Sequence, residues 1–247
     1  MRFDGKNIIV TGGAAGFGRQ TAIDAAKRGA SVIIIDRNTE GLREVVEEFP
    51  EYSIKAYQLD IGKTAETEEV LNEIIDEYGQ IHVLINNAGI PSKNPIEEIS
   101  ETEWDAVIDV NLKSIYNTCR IIVPHMKKFR YGKIVNMSSV AGKMGGGLLG
   151  TCAYAASKSG VLGITKCLAR ECGPFGINVN AVCPGNFDTA ISKEMTGELL
   201  EKYVAGLCLR RRGKIEEVSN VMLFLASDLA SYITGECTDI DGGQVMD

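Results

Sequence analysis

The chain has 247 residues, 45% of them hydrophobic and 24% charged, and carries a net charge of -7 at neutral pH. That length buries a substantial core and the balance is ordinary for a soluble globular protein, while interspersed acids and bases exclude a general binder of nucleic acid or anionic membrane. No apolar run is long enough to span a bilayer, and Met1-Arg2-Phe3-Asp4-Gly5-Lys6 lacks the apolar stretch of a secretory signal. Seven cysteines (Cys119, Cys152, Cys167, Cys172, Cys183, Cys208 and Cys237) contain no Cys-x-x-Cys pair, and with only His82 and His125 beside them no metal-ligand spacing arises. An odd number of thiols without a signal reads as the reduced state of a cytoplasmic protein. Most are small core residues; Cys152, two before a tyrosine, is the one to watch for substrate contact.

Apolar runs alternate with longer amphipathic stretches from one end to the other. Short buried strands are expected at Asn7–Val10, Ser31–Ile35, Lys55–Leu59, Val83–Ile85, Lys133–Met137, Asn178–Val182 and Cys237–Ile240. Helical segments fall between them, among others at Gly18–Arg28, Thr67–Tyr78, Thr102–Phe129 and Tyr154–Cys172. Strands alternating with helices imply right-handed βαβ units and a parallel sheet covered on both faces. The expectation is an α/β fold, one doubly wound Rossmann-type domain over residues 1–247 with about seven strands. No linker, internal repeat or low-complexity tract interrupts it. Ligands of such sheets bind beyond the carboxyl ends of the strands, and every chemical motif here follows a strand directly.

The first of these joins the first strand to the first helix as Thr11-Gly12-Gly13-Ala14-Ala15-Gly16-Phe17-Gly18. Glycines allow a tight turn and close backbone approach to a pyrophosphate at a helix N-terminus. Gly12, Gly16 and Gly18 have the spacing G-x-x-x-G-x-G, not the standard G-x-G-x-x-G. Asp36 closes the second strand, where a carboxylate accepts hydrogen bonds from adenosine ribose hydroxyls and repels a 2'-phosphate. Arg37 beside it carries a guanidinium able to accommodate that phosphate. Further on, Tyr154 and Lys158 stand four residues apart, one face of a helix, after the pair Ser138-Ser139. A phenol ionises near pH 10, and bringing it to about 7 requires favouring phenolate by roughly 4 kcal/mol, for which a nearby cation is the obvious agent.

The glycine turn, the acid after the second strand, Asn86-Asn87-Ala88-Gly89 after the fourth and a serine ahead of Tyr154-Ala155-Ala156-Ser157-Lys158 resemble the classical short-chain dehydrogenase/reductase family, over the whole chain. The resemblance implies that Asp60 and Ile61 meet the adenine, that Asn87 and Gly89 line the cofactor, and that Pro184, Phe187 and Thr189 meet the nicotinamide carboxamide. It also implies a catalytic set of Asn111, Ser139, Tyr154 and Lys158. In this set Tyr154 exchanges a proton with the substrate oxygen and Lys158 holds the nicotinamide ribose and lowers the tyrosine pKa. Ser139 orients the substrate, and Asn111 holds a water linking Lys158 to solvent. Ser138, on the opposite strand face, is the rival to Ser139. Asp36, together with Ala14-Ala15 where NADP-preferring members often carry a basic residue, selects NAD over NADP.

The spacing from Ser139 to Tyr154 is longer than in many members, the extra length lying in Lys143-Met144-Gly145-Gly146-Gly147-Leu148-Leu149-Gly150. A helical flap is expected over residues 186–212, ending in Arg210-Arg211-Arg212, a solvated or subunit-contacting face more readily than an anion site. Lys93 and Lys143 are first candidates for an anionic substrate group. Of two basic residues with which 3-oxoacyl reductases of the family grip the acyl carrier protein, Arg130 matches one and Phe175 replaces the other. The expected substrate is thus a small polyol, sugar or hydroxy acid. A 3-oxoacyl-(acyl carrier protein) reductase or hydroxysteroid-type dehydrogenase is the alternative, and a nucleotide-sensing binding protein the non-enzyme reading. Assembly as a homotetramer through the helices at 102–129 and 154–172, with Ile164, Cys167 and Leu168 at the contact, follows from the resemblance alone.

Overall fold

Ile8-Ile9-Val10, Ile33-Ile34-Ile35 and Leu84-Ile85 are buried with no alternation, which places their strands in the middle of a sheet covered on both faces. The computed structural model describes residues 1–146, 151–187 and 196–246. Its strands are β1 Asn7–Thr11, β2 Ser31–Asp36, β3 Ile54–Gln58, β4 Val83–Asn86, β5 Gly132–Met137, β6 Ile177–Pro184 and β7 Cys237–Ile240. They form a seven-stranded sheet of order β3-β2-β1-β4-β5-β6-β7, parallel throughout. Val10 on β1 stands opposite Ile34 on β2 and Ile85 on β4. The fold class is the doubly wound α/β architecture expected, with strand ends within two residues of their expected positions.

Helices α1 (Gly16–Lys27), α2 (Thr39–Glu48), α3 (Thr64–Tyr78), α4 (Glu101–Ile108), α5 (Ser114–Phe129), α6 (Val140–Met144), α7 (Cys152–Cys172), α8 (Gly197–Gly206) and α9 (Ile215–Ala226) complete the described elements of useful length. One face of the sheet presents Ile8, Val10, Ile34 and Ile85 to α1, α2 and α9 through Ala22, Val45 and Met222. The other presents Ile9, Ile33, Leu84 and Ile134 to α3, α5 and α7 through Ile74, Ile122 and Val161. Strand order reverses between β1 and β4, so the crevice beyond their carboxyl ends is the switch point where such sheets bind ligands.

The helix expected over Thr102–Phe129 is instead α4 and α5 joined by a π-helical turn at Asp109–Lys113. Asn111 lies in that turn, buried against the loop after β4 and α7. Among the described residues no helix is long and apolar enough to cross a membrane, and no group of three or more His, Cys, Asp or Glu is placed to hold a metal ion.

Candidate active site and nucleotide groove

The turn after β1 is tight enough to require its glycines. A Cβ on Gly18 stands 2.1 Å from the Gly12 carbonyl oxygen and 2.4 Å from Asn87 Nδ2, and one on Gly12 stands 2.8 Å from Asn87 Nδ2. Gly12 and Gly16 have φ of +68° and +55°, the left-handed region that glycine enters without penalty. Asn87, from the turn after β4, holds this arch by donating from Nδ2 to the carbonyls of Thr11 (3.0 Å) and Gly12 (3.1 Å). The buried Thr11 hydroxyl accepts the N–H groups of Asn87 and Ala88, both at 3.1 Å. Phe17, at the start of α1, meets Phe187 edge-on with ring centroids 5.3 Å apart.

Asp36 sits at the end of β2 as expected, its Oδ2 accepting from Ala14 N (3.1 Å) and its Oδ1 from Asn38 N (3.0 Å). Each oxygen keeps a further lone pair for a ligand hydroxyl. Arg37 is exposed beside it. Asp60 Oδ1 accepts from Gly62 N at 3.1 Å, while Ile61 is buried and its carbonyl accepts from Asn117 Nδ2 at 3.0 Å. An open groove runs past these residues, lined by Gly12, Asp36, Arg37, Asp60, Ile61, Gly89 and Ile90 among others. A cradle that leaves no room for a Cβ, a carboxylate at the ribose end and an apolar slot beside Ile61 together fit a dinucleotide.

Behind Gly89, which lines the groove, stand Asn111 and Lys158 of the proton-transfer candidates. Asn111 Oδ1 accepts from Ile90 N at 2.7 Å, and its two Nδ2 hydrogens go to the Ile90 carbonyl and to Ser157 Oγ, both at 3.0 Å. The side chain thus pins the Gly89-Ile90 turn against α7. Lys158 is buried and donates to the Met137 carbonyl at 2.8 Å. Burial pulls its ammonium down to about 8, opposed by the neighbouring Cys183 thiol. Lys158 Nζ lies 5.7 Å from the centroid of the Tyr154 ring. A Cβ on Gly89 lies 3.3 Å from both Lys158 Nζ and Asn111 Oδ1, so glycine keeps this corner open.

Tyr154 is half-buried, and burial raises its phenol above the ordinary value while a hydrogen bond with Ser139 pulls it down. The lowered tyrosine expected from the sequence is therefore not a property of the protein alone. Desolvation acts on both members of the pair and favours their neutral forms. Ser139 and Ser138 separate by function of the backbone. Ser138 is buried and donates to the Lys158 carbonyl at 2.8 Å, whereas Ser139 caps α6 by accepting from Ala141 N at 3.2 Å and faces Tyr154.

Pro184 ends β6 opposite Ile240, and Phe187 is buried beside Gly213, whose Cβ would stand 2.0 Å from the Phe187 ring. Thr189 and residues 147–150 of the Ser139–Tyr154 connection lie outside the described residues. One expectation needs correcting. Lys143 turns to Asp239 at 2.8 Å, a largely buried ion pair between α6 and β7, and does not present a cation to substrate. The three arginines diverge: Arg211 forms a two-pronged pair with Glu217 (2.7 and 2.9 Å), and Arg212 donates to the Phe187 carbonyl. Lys93 remains exposed in the loop after β4.

A buried polar chain escaped sequence reasoning. Asn86 Nδ2 donates to Asn136 Oδ1 (2.9 Å), Asn136 Nδ2 to Thr165 Oγ1 (3.0 Å), and Thr118 Oγ1 to Asn86 Oδ1 (2.8 Å). It ties β4 and β5 to α5 and α7 just beneath the site. The signal was present, since Asn86 and Asn136 interrupt apolar runs at paired positions of adjacent strands.

The sequence profile described as enoyl-(acyl carrier protein) reductase matches residues 12–244. The chain is 42% identical over 248 residues to the 3-oxoacyl-(acyl-carrier-protein) reductase FabG of Thermotoga maritima, covering 100% of both. It is 37% identical over 246 residues to FabG of Escherichia coli K12, again covering 100% of both. Among solved structures, a putative gluconate dehydrogenase from Agrobacterium tumefaciens matches with a TM-score of 0.94 at 29% identity, over 99% of this chain and 98% of that one. A short-chain type dehydrogenase/reductase from Mycobacterium ulcerans matches at 0.93 and 28%, over 99% and 91%. Fold, site and relatives define an oxidoreductase of the Rossmann type that works with a nicotinamide cofactor. Within that class the chain belongs to the short-chain dehydrogenase/reductase family.

Proposed function

We propose that the protein interconverts a 3-oxoacyl thioester and its 3-hydroxyacyl counterpart, with NAD(H) as the preferred cofactor. What supports the chemistry is the bond between Ser139 and Tyr154 and the approach of Lys158 and Asn111 to Gly89, which lines the same groove as Asp36. The substrate class rests on the full-length relatives named as 3-oxoacyl reductases, which outweigh the polyol or sugar expected from the sequence. NAD(H) rests on Asp36, whose carboxylate repels a 2'-phosphate, against exposed Arg37.

The residues that would hold the cofactor are the Gly12–Gly18 arch at the pyrophosphate, Asp36 at the adenosine ribose, and Asp60 and Ile61 at the adenine. Asn87 and Gly89 follow along the groove, and Tyr154, Lys158, Pro184, Phe187 and Thr189 serve the nicotinamide half. Bound there, the nicotinamide supplies or accepts the hydride. The Tyr154 hydroxyl gives the substrate oxygen its proton in reduction and takes it back in oxidation. Ser139 Oγ donates to that oxygen as negative charge grows on it. Lys158 has one hydrogen on the Met137 carbonyl, leaving two for the ribose hydroxyls, and its cation favours tyrosinate. Asn111 fixes the Gly89-Ile90 turn and offers its remaining Oδ1 lone pair to a water on the path from Lys158 to solvent.

A second reading, a small sugar-acid or polyol dehydrogenase, draws on the 0.94 TM-score to the putative gluconate dehydrogenase. Phe175 also favours it, because its ring lies under Lys127 and Arg130 where a second basic residue would grip a carrier protein. The proposal includes a flap over residues 186–212, of which 188–195 lie outside the described residues and whose helix α8 buries no residue. It further includes a cytoplasmic homotetramer assembled through α5 and α7, where Tyr116 and Cys167 are exposed. The deciding assay offers NADH and NADPH with 3-oxoacyl thioesters, and NAD+ and NADP+ with polyols and sugar acids. The proposal expects NADH oxidation with the thioesters. Turnover confined to the polyol or sugar-acid arm overturns it in favour of the second reading.

A further inference from the structure

Thr151 occupies the N-cap of α7, yet its hydroxyl makes no capping bond to that helix. A threonine at this position ordinarily accepts from the backbone two or three residues on, a contact worth about 1 kcal/mol. Here the hydroxyl turns outward and donates to the Ser92 carbonyl at 3.1 Å, and the Thr151 backbone N–H donates to the same oxygen at 3.2 Å. Ser92, in the loop after β4, is 2% exposed. Its Oγ lies 3.1 Å from Thr151 Oγ1 and donates to Glu103 Oε1 at 2.9 Å. The second carboxylate oxygen of Glu103 accepts from Asn94 Nδ2 at 2.6 Å. Glu103 is itself fixed in the first turn of α4, its N–H donating to Ser100 Oγ at 3.1 Å.

The Thr151 hydroxyl can give its one hydrogen to the Ser92 carbonyl or to Ser92 Oγ, both 3.1 Å away, while Ser92 gives its own to Glu103. Glu103 accepts at both carboxyl oxygens, from Ser92 and from Asn94. Three elements meet in this knot: the loop that begins at Gly89-Ile90, the first turn of α4, and the first turn of α7. Tyr154 stands one turn beyond Thr151, with Ala155 N on the Thr151 carbonyl at 2.8 Å. On the other side the chain leaves α6 through Gly145 and Gly146, both at positive φ; Ser92 anchors the start of α7, while Asn111 and Ser138 hold it about one to two turns further on, at Ser157 and Lys158. The phenol must meet Ser139 from a helix whose first turn is held by side-chain contacts, and a displacement of about 1 Å at such a site costs on the order of a hundredfold in rate.

We propose that Ser92, Glu103 and Thr151 are positioning residues that set the Tyr154 hydroxyl against Ser139. This rests on the reading of Tyr154 as the proton-transfer group. Ser92, Glu103 and Thr151 do not themselves line the Gly12–Asp36–Asp60 groove, so their removal acts on the chemical step before it acts on cofactor affinity.

The test compares Ser92→Ala, Thr151→Val and the restoring variant Ser92→Thr with the parent, and uses Glu101→Gln, an exposed acid on the same turn of α4, as the control. Two readouts are taken. One is kcat for thioester reduction beside the dissociation constant for NADH. The other is the ring-carbon NMR signal of Tyr154 in protein labelled at tyrosine Cζ, recognised by its loss in Tyr154→Phe and independent of turnover. Ser92→Ala and Thr151→Val are expected to move the Tyr154 signal alone among the tyrosines and to lower kcat about tenfold. NADH affinity should stay within about twofold, Ser92→Thr should restore most of the rate, and Glu101→Gln should change nothing. A Tyr154 signal unmoved in both deletion variants overturns the proposal, as does a parallel loss of NADH affinity, which marks a general structural role. If the parent reduces no thioester but the signal still moves, the clamp stands and the substrate reading fails.

Discussion

Lys158 is the residue whose removal separates stability from function most sharply. Burial holds its ammonium at about 8 against an ordinary 10.5, so the folded protein binds that proton less tightly than the unfolded chain. At 1.36 kcal/mol per unit, the buried cation costs about 3 kcal/mol at pH 7. Replacing it with methionine, of similar length and no charge, removes that cost and forfeits the charged bond to the Met137 carbonyl, worth about 2 kcal/mol. Lys158→Met should therefore be more stable than the parent by about 1 kcal/mol at pH 7, a Tm higher by about 2–4 °C for a chain this size. The parent regains stability as pH rises from about 8 toward 10.5, because the proton lost on folding is then lost in both states. The difference should shift toward the parent by about 2 kcal/mol between pH 7 and pH 9.5. Denaturant unfolding of both proteins at the two pH values measures this directly, alongside a loss of turnover of at least about a hundredfold. A Lys158→Met protein no more stable than the parent, or a difference that ignores pH, refutes the reasoning.

Three further outcomes follow from the site and its scaffold. Gly18→Ala places a methyl 2.1 Å from the Gly12 carbonyl and should abolish cofactor binding with a Tm loss worth more than about 2 kcal/mol. Gly16→Ala, at φ +55° but with open space around it, should cost only about 1 kcal/mol; equal losses in the two would show that crowding is not the reason for the glycine. Asp36→Ala should weaken NADH binding about tenfold or more and shift preference toward NADPH, measured by fluorescence titration with both; unchanged preference would assign the choice to Arg37. His125 accepts from Ile81 N and His82 from Asn7 N, at 3.2 and 3.0 Å, and burial lowers both pKa values below 6.5. Their contribution to stability is present above pH 6.5 and lost as pH falls, so Tm should drop between pH 6.5 and 5 and drop less in His125→Gln.

The sheet was legible because β-branched runs such as Ile33-Ile34-Ile35 can be buried on both faces only inside a parallel sheet, and each motif fell at a strand end. The glycine turn and Tyr154-x-x-x-Lys158 were legible for the same kind of reason, since steric closeness and helical spacing are written in single residues. The π-helical turn was not, because Asp109–Lys113 continues the helical pattern and only the need to bury Asn111 against Ile90 and Ser157 reveals the extra residue. Nor was the direction of the Tyr154 shift legible. Sequence spacing announces a cation nearby, but it does not weigh that cation against the burial of both groups. Lys143 misled for a related reason: its partner Asp239 is 96 residues away, and no local pattern announces an ion pair between α6 and β7.

The central claim is that Tyr154 moves the proton while a bound nicotinamide exchanges hydride with a 3-oxoacyl thioester. Its most direct test is the rate of NADH oxidation with a 3-oxoacyl thioester by the parent and by Tyr154→Phe, with NADH binding measured on both. The account predicts turnover by the parent, a loss of about a thousandfold in the variant and NADH affinity unchanged between them. A variant that retains its rate within about tenfold contradicts the role given to Tyr154. A parent that binds NADH and oxidises it with no 3-oxoacyl thioester contradicts the proposed reaction.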